Sequence, residues 1–323
     1  MLKKIAVFTS GGDAPGMNAC IRAVVRAGVH YGLETYGIMR GYEGMIEDDI
    51  QLLLPESVSN VIQFGGTILK SARSKEFTTP EGRKAAAEHL KRRGIDGLVC
   101  IGGNGTYTGA MYFEQEHGIP SIGCPGTIDN DLYGTDFTIG FDTAVNTALD
   151  AIDKVRDTAD AHNRVFFIEV MGRHSGHIAM NAGLAGGAEA IFIPERIDEF
   201  ETFITRYGSK KRKKAFSIFI VAEGDEEGNA YALAEKFKKV YPESDTRVTV
   251  LGHIQRGGMP TANDRILASR LGAHAVKALH EGKRSLAVGV VNNQITFTPF
   301  EEAINRKKDI NEQLWELATI LTR

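Results

Sequence analysis

The chain has 323 residues, 42% of them apolar and 24% charged, with a formal net charge of −3. That length supports a large core or two lobes, and the near-neutral balance excludes a global field that would recruit nucleic acid or an acidic membrane surface. Three cysteines, Cys20, Cys100 and Cys124, form an odd set without metal-ligand spacing, which fits a reducing cytosol better than a disulfide framework. At the start, MLKKIAVFTS places an apolar run after basic residues, but the run breaks at Ser10-Gly11-Gly12. It is too short for a signal peptide and reads as a buried strand, Ile5–Thr9. A helix follows at Asn18–His30 and another at Pro80–Arg93, then a strand at Leu98–Ile101, a helix at Thr108–His117 and a strand at Ser121–Cys124. The second half continues with a helix at Thr143–Thr158, strands at Val165–Val170, Phe216–Ala222 and Arg247–Leu251, a helix at Ala262–Glu281 and a strand at Ser285–Val291. Arg206–Lys214 is rich in charge and weak in pattern, and reads as a surface connection. Nearly continuous apolar strands imply a sheet covered on both faces, and strands alternating with helices imply a doubly wound, mainly parallel α/β architecture. No stretch is long enough to span a bilayer, so a soluble cytoplasmic protein is expected.

Almost every strand runs straight into glycine, acid or arginine: SGGDAPG, IGGNGT, PGTIDND, MGRHSG, VAEG and LGHIQRGG. Open α/β sheets bind ligands beyond the carboxyl ends of their strands. Any one of these segments suits a turn; six delivered to one edge favour a polyanion site. Ser10-Gly11-Gly12-Asp13-Ala14-Pro15-Gly16 matches neither a Walker loop nor the dinucleotide fingerprint. It still sets glycines before a helix whose open N–H groups favour an anion, with Pro15 suited to the first helical turn. Gly102-Gly103-Asn104-Gly105-Thr106 repeats the device. In Pro125-Gly126-Thr127-Ile128-Asp129-Asn130-Asp131, an extended backbone would point Asp129 and Asp131 to the same side. One carboxylate could then take a proton from an attacking hydroxyl while the other helps hold a metal, although an Asx-rich turn accounts for the same residues. Arg73, Arg164, Arg173, Arg247 and Arg256 stand within or beside these segments, and arginine's planar fork suits phosphate oxygens. Glu223 and His253 could hydrogen-bond sugar hydroxyls. The chemistry that fits is phosphoryl transfer from a nucleotide to a small sugar phosphate.

These segments together resemble the bacterial ATP-dependent 6-phosphofructokinase family. GGDAPGMNA, GT-x-L-x-SAR, IGG-x-G, PGTIDND, EVMGR, VAEG and VLGHIQRGG-x-P stand in family order along essentially the whole chain. The resemblance implies two Rossmann-like lobes facing a cleft: a larger ATP lobe of residues 1–139 plus 252–305, and a smaller fructose 6-phosphate lobe of residues 140–251 plus 306–323. It implies a homotetramer, magnesium as cofactor, and ADP and phosphoenolpyruvate as effectors. By matching position, Gly12, Tyr42, Arg73, Ser74, Gly103, Asn104, Gly105, Thr106 and Gly109 would line the ATP site. Asp129 would be the base, with Thr127, Arg173 and Gly12 beside the transferring phosphoryl group and Asp131 and Asn104 near the metal. Thr127, Asp129, Met171, Gly172, Arg173, Glu223, His253 and Arg256 would hold the sugar phosphate. Arg164 and Arg247 would reach its phosphate from a neighbouring subunit. Arg22 and Arg26, one helical turn apart, would bind an effector with Arg156, Glu189, Lys211, Lys213 and Lys214.

Three departures modify that expectation. Asn104 stands where the family usually has aspartate, a neutral oxygen in place of a charged one, so the metal would lean on Asp131 and the ATP phosphates. His174-Ser175-Gly176-His177 follows MGR where acidic and small residues are typical; two histidines three apart on a helix could ligate a metal, but no third ligand stands nearby. Pro55 replaces an effector-site arginine, which predicts weakened allostery. The rival reading is a pyrophosphate-dependent phosphofructokinase, in which bulkier residues fill the phosphate loops; Gly105 and Gly126 are read as leaving that space open for ATP. More remote rivals are a lipid or NAD kinase, whose GGDGT resembles GGNGT, and a catalytically silent sugar-phosphate sensor.

Overall fold

In a computed structural model, every residue is described except 1, 198, 210–215, 227 and 322–323. The chain divides into two compact units, residues 1–128, 132–143 and 256–308 in the first and residues 129–131, 144–255 and 309–323 in the second. In chain order the first unit begins with β1 (Lys4–Thr9), α1 (Met17–His30), β2 (Glu34–Ile38), α2 (Tyr42–Ile46) and β3 (Ile50–Leu53). It continues with α3 (Pro80–Arg93), β4 (Gly97–Gly102), α4 (Asn104–His117) and β5 (Ser121–Pro125). The long α5 (Phe141–His162) starts in the first unit and carries the chain into the second. There follow β6 (Val165–Val170), α6 (His177–Ala185), β7 (Ala190–Phe192), α7 (Glu199–Ser209), β8 (Ser217–Ala222), α8 (Ala230–Val240) and β9 (Thr246–Val250). The first unit is completed by α9 (Ala262–His280), β10 (Leu286–Val291), β11 (Gln294–Pro299) and α10 (Phe300–Asn305), and the second by α11 (Glu312–Leu321).

The first sheet runs β11-β10-β5-β4-β1-β2-β3, parallel except for β3 and β11, which pair antiparallel at its two edges. The second runs β7-β8-β6-β9 and is wholly parallel. The expected doubly wound α/β class is therefore observed. The continuous apolar runs have the expected cause: every residue of β4 and β5 is buried, and so is every residue of β8. One core of the first unit packs Phe8, Tyr42, Phe77, Tyr107, Phe113 and Phe300. The second unit has an aromatic core of its own, in which Phe167, Phe203, Phe219 and Phe237 meet edge to face. Among the described residues no helix is long and apolar enough to cross a membrane.

Several elements depart from the sequence reading. α4 starts at Asn104 rather than Thr108, because two glycines in NGTYTG hide the first turn from propensity. Pro15 lies ahead of α1, not in its first turn; Gly16 is the cap residue, at φ 108°, and the helix begins at Met17. β3 and β7 are edge strands of only four and three residues, too short to register as apolar runs, while Glu34 and Gly37 in β2 and the polar residues of β11 interrupt theirs. Of the supposed surface connection, Arg206 belongs to α7, whose Phe200 and Phe203 are buried; residues 210–215 lie outside the described residues.

The start of α5 hangs on one buried carboxylate. Asp264, 1% exposed, accepts the N–H of Gly140 at 2.8 Å, the N–H of Thr143 at 2.8 Å and the Thr143 hydroxyl at 2.6 Å. Thr261 donates its hydroxyl to Asp142 at 2.5 Å and its N–H to Thr143 Oγ1 at 3.1 Å. Replacing Asp264→Ala strands two backbone donors, and a loss of about 2–4 kcal/mol is expected in denaturant unfolding. Burial lifts the Asp264 carboxyl above its ordinary value of 3.8, although its hydrogen bonds pull the other way. The folded chain thus holds a proton that the unfolded chain releases, so this stabilisation is complete below 3.8 and fades as pH rises through the raised value. The stability difference between wild type and Asp264→Asn should shrink over that rise.

Candidate active site

In the first unit, parallel pairing brings three strand ends to one level. The ladder continues past them: Ser10 N–H donates to Ile101 O at 3.0 Å and Gly126 N–H to Gly102 O at 3.0 Å. Gly103 caps α4 without any side-chain cap, leaving the end of that helix suited to an anion. Thr106 N–H donates to Gly103 O at 2.9 Å, and Thr106 Oγ1 to Ser10 O at 3.2 Å, so the two glycine loops are bound together. Thr127 stands beside this helix end: a Cβ built on Gly103 would lie 3.9 Å from Thr127 Cβ. Thr138 Oγ1 donates to Thr127 O at 2.6 Å. Gly12 makes room for Arg256, since a Cβ there would lie 3.1 Å from its Nη1. Asn104 Oδ1 is buried with no hydrogen-bond partner among the described residues.

Tyr42 is packed rather than open. Its hydroxyl donates to Thr106 O at 2.6 Å, its ring stacks on Phe77 at 3.9 Å, and burial pushes the phenol well above its ordinary range. Gly109 must be glycine for this ring to fit, because a Cβ would meet it at 2.9 Å. Arg73 is exposed, and Ser74 Oγ accepts Phe77 N–H at 3.1 Å. Their loop is strapped from two sides. Ser71 Oγ donates to Gly11 O at 2.6 Å, and buried Asn18 binds Phe64 O, Gly65 O and the Ile68 N–H at 3.0, 3.2 and 2.7 Å.

The second unit holds the other residues around the loop after β6. Gly172 has φ 149° and Arg173 φ 57°, a turn closed by Ser175 N–H donating to Gly172 O at 2.9 Å. Arg173 N–H donates to Glu223 Oε1 at 2.7 Å, and Gly224 lies so close that a Cβ there would fall 1.8 Å from Arg173 O. Ser175 Oγ donates to Asp129 O at 2.7 Å. The structure thus joins Asp129, Gly172, Arg173 and Glu223. Met171 is buried, while His253 is exposed on a 3-10 turn, Gly252–Arg256. Residues 129–131 are not extended as expected: Asn130 sits at φ 53°, so alternation does not relate Asp129 to Asp131. Nor do the histidines share a helix. α6 starts at His177, which is buried, and leaves His174 exposed before it; no metal cluster of three His, Cys, Asp or Glu occurs among the described residues.

Arg164 and Arg247 stand at the opposite end of their sheet from Met171–Arg173. Arg164 precedes β6, and Arg247 pairs with Phe166 near its start, whereas Met171–Arg173 follow its end. The six residues of β6 separate Arg164 from Met171 by roughly 23 Å, seven steps of about 3.3 Å each. Asp245 gathers both arginines at 2.8 Å, and the Arg164 hydrogen bond, reinforced by the charge of Arg247, holds its carboxyl below the usual range. Of the effector residues, Arg22 is half-buried and Arg26 exposed on α1, with Ile21, Val24 and Val25 buried as expected. Arg156 donates to the carbonyls of Gly186 and Gly187 after α6. Glu189 accepts Ile218 N–H at 2.6 Å, and Lys211, Lys213 and Lys214 lie outside the described residues. No role was read for Asn18, Ser71, Ser175 or Asp245; Asn18 lies in GGDAPGMNA, Ser71 in GT-x-L-x-SAR, and Asp245 two residues before Arg247, whereas Ser175 carried no such signal.

The phosphofructokinase family profile matches residues 4–279. A Cytophaga hutchinsonii protein named ATP-dependent 6-phosphofructokinase is 58% identical over 319 residues, 98% of this chain and 97% of its own. ATP-dependent 6-phosphofructokinase 1 of Thermus thermophilus is 57% identical over 321 residues, 99% of both chains. Among solved structures, phosphofructokinase from Saccharomyces cerevisiae aligns with TM-score 0.86 and 38% identity over 99% of this chain, which spans 46% of the yeast chain. A pyrophosphate-dependent phosphofructokinase from Marinobacter aquaeolei aligns with TM-score 0.85 and 25% identity, over 97% of this chain and 86% of its own. The fold alone therefore does not separate the two donors.

The two glycines read as open differ. A Cβ on Gly105 meets nothing within 4 Å, but one on Gly126 would lie 2.9 Å from Ile101 Cγ2 and 3.1 Å from Met17 Cε. Gly126 is a packing glycine, and the donor argument rests on Gly105. Gly126→Ala should destabilise by about 1–3 kcal/mol through overpacking, while Gly105→Ala leaves the melting temperature within about 1 °C, both read by calorimetry.

Proposed function

The chain belongs to the phosphofructokinase family, and from that premise we propose how its residues carry out ATP-dependent phosphorylation of fructose 6-phosphate at the 1-hydroxyl, which gives fructose 1,6-bisphosphate and ADP and is the committed step of glycolysis. Relatives 57% and 58% identical over nearly the full length, both named ATP-dependent, favour ATP over pyrophosphate, as does the space at Gly105. The first unit is the ATP lobe and the second the sugar-phosphate lobe.

ATP phosphates lie against the α4 end at Gly103–Thr106 and the Gly11-Gly12 loop, with Arg73 and Ser74 beside them. Tyr42 and Gly109 shape the site from beneath rather than by a polar contact. Asp129 takes the proton of the 1-hydroxyl as that oxygen attacks the γ-phosphorus, while Thr127, Gly12 and Arg173 hold the developing charge on the phosphoryl oxygens. Met171, Gly172, Glu223, His253 and Arg256 hold the sugar. The observation that carries this reading is the bonding of Asp129, Arg173 and Glu223 through one loop. Phosphoryl transfer in this family is metal-dependent, and the metal we assign is magnesium. The unpartnered Asn104 oxygen and the Asp131 carboxylate are the oxygen donors a hard cation prefers, and few protein ligands suffice when ATP phosphates supply the rest. Magnesium bound to ATP neutralises charge on the β- and γ-phosphates.

Arg164 and Arg247, at the far end of β6 from Arg173, serve the sugar phosphate of a neighbouring subunit in a homotetramer. Arg22, Arg26, Arg156, Glu189 and the lysines of 211–214 form the effector site for ADP and phosphoenolpyruvate, weakened by Pro55. The enzyme works in the cytoplasm, where its three buried free thiols stay reduced.

A coupled assay with fructose 6-phosphate should give turnover with ATP and none with pyrophosphate; the reverse overturns the donor assignment. Asp129→Ser should lower kcat about 10²–10⁴-fold with a smaller change in KM, and retention of more than half of kcat would refute its role as base. Subunit mixing tests the sharing of arginines. Asp129→Ser and Arg247→Ser proteins, each inactive alone, should regain activity when dissociated and reassembled together.

A further inference from the structure

Asp129 lies in a segment whose backbone is unusual. Its neighbour Asn130 is at φ 53°, a left-handed turn conformation that asparagine adopts more readily than other residues with a Cβ, and Asn130 is 4% exposed, so the chain turns sharply beside Asp129 in a buried setting. A side-chain bond from outside the segment reaches the Asp129 peptide: Ser175 Oγ donates to Asp129 O at 2.7 Å. Ser175 is 5% exposed, so little water is present to replace that bond.

Ser175 is itself held on both sides. Its N–H closes the turn on Gly172 O at 2.9 Å, and its own carbonyl passes so near Gly172 that a Cβ there would lie 2.3 Å away. The next residue, Gly176, gives its N–H to both carboxylate oxygens of Glu195 at 3.0 Å. Two residues earlier, Arg173 is pinned to Glu223 at 2.7 Å. The hydroxyl is therefore presented from an anchored turn rather than a loose loop.

We infer that Ser175 is a positioning residue for Asp129: its hydroxyl fixes the Asp129 peptide to the turn that carries Arg173, so that the base and the arginine keep one geometry. This rests on Asp129 being the base. Displacing a reacting group by a fraction of an ångström penalises the chemical step more than substrate binding.

The test is a double-mutant cycle on the full-length enzyme with ATP and fructose 6-phosphate. Ser175→Ala should lower kcat about tenfold, equivalent to about 1.4 kcal/mol of barrier, with KM for fructose 6-phosphate within twofold and a melting temperature lowered by only about 2–4 °C. In an Asp129→Ser background the same substitution should change the residual kcat less than twofold. Ser175→Cys, close in volume but a weak donor, should fall between wild type and Ser175→Ala. An equal loss in both backgrounds, or a Ser175→Ala enzyme with kcat within twofold of wild type, overturns the inference. Undiminished kcat in Asp129→Ser alone instead overturns the assignment of the base, and the inference with it.

Discussion

The in-register parallel pairing of β1, β4 and β5 sets the level at which everything in the first unit is presented. Thr9 pairs with Ile101, and Gly102 with Pro125, so three successive loops leave the sheet side by side. The bonds Ser10–Ile101 and Gly126–Gly102 extend the ladder just far enough to stiffen those loops before they diverge. A slip of one residue would exchange the two faces of the strand, and because both faces of β4 and β5 are closely packed against different neighbours, the register has little tolerance. The uncapped end of α4, the Thr127 side chain and the room for Arg256 over Gly12 all inherit their positions from that pairing.

Both units hold their segments by the same two means. Close approach leaves no space for a Cβ at Gly65 against Gly258, Gly102 against Ser10 and Gly109 against the Tyr42 ring in the first, and at Gly224 against Arg173 in the second. Carboxylates grip backbone N–H groups in both: Asp264 holds Gly140 and Thr143, while Glu223 holds Arg173, Glu195 holds Gly176, Glu189 holds Ile218, and Glu169 holds Ala230 at 2.9 Å. These bonds are charge-assisted and more directional than packing alone.

The fold class was readable because the decisive strands are buried on both faces and therefore apolar throughout. Strands at edges, or as short as Ala190–Phe192, carry no such signature. The glycine loops and PGTIDND pointed to a polyanion site only as a set, since glycine and aspartate after any one strand also suit a turn. Geometry inside those segments was not readable. The packing demand on Gly126 depends on neighbours far away in sequence, while the left-handed Asn130 and the first turn of α4, masked by Gly105, leave no mark in local propensity. The same holds for Ser175, a small polar residue in a turn, whose partner Asp129 is 46 residues away. Arg164 and Arg247 were found by type alone; the end of the sheet at which they stand was not readable, because a residue just before a strand and one just after it look alike until the strand's direction is fixed.

Gly105 has a bearing on how such an enzyme can change over generations. A glycine codon is one base away from alanine, aspartate, serine or valine, and at Gly105 the added side chain meets open space, whereas at Gly126 it would collide with Ile101 and Met17. Gly105 is thus a position where an added Cβ is structurally tolerated, while Gly126 is locked by its packing on Ile101 and Met17. A lineage carrying this fold can change the first of these glycines in a single step without first acquiring compensating changes in the core, and the second only together with them.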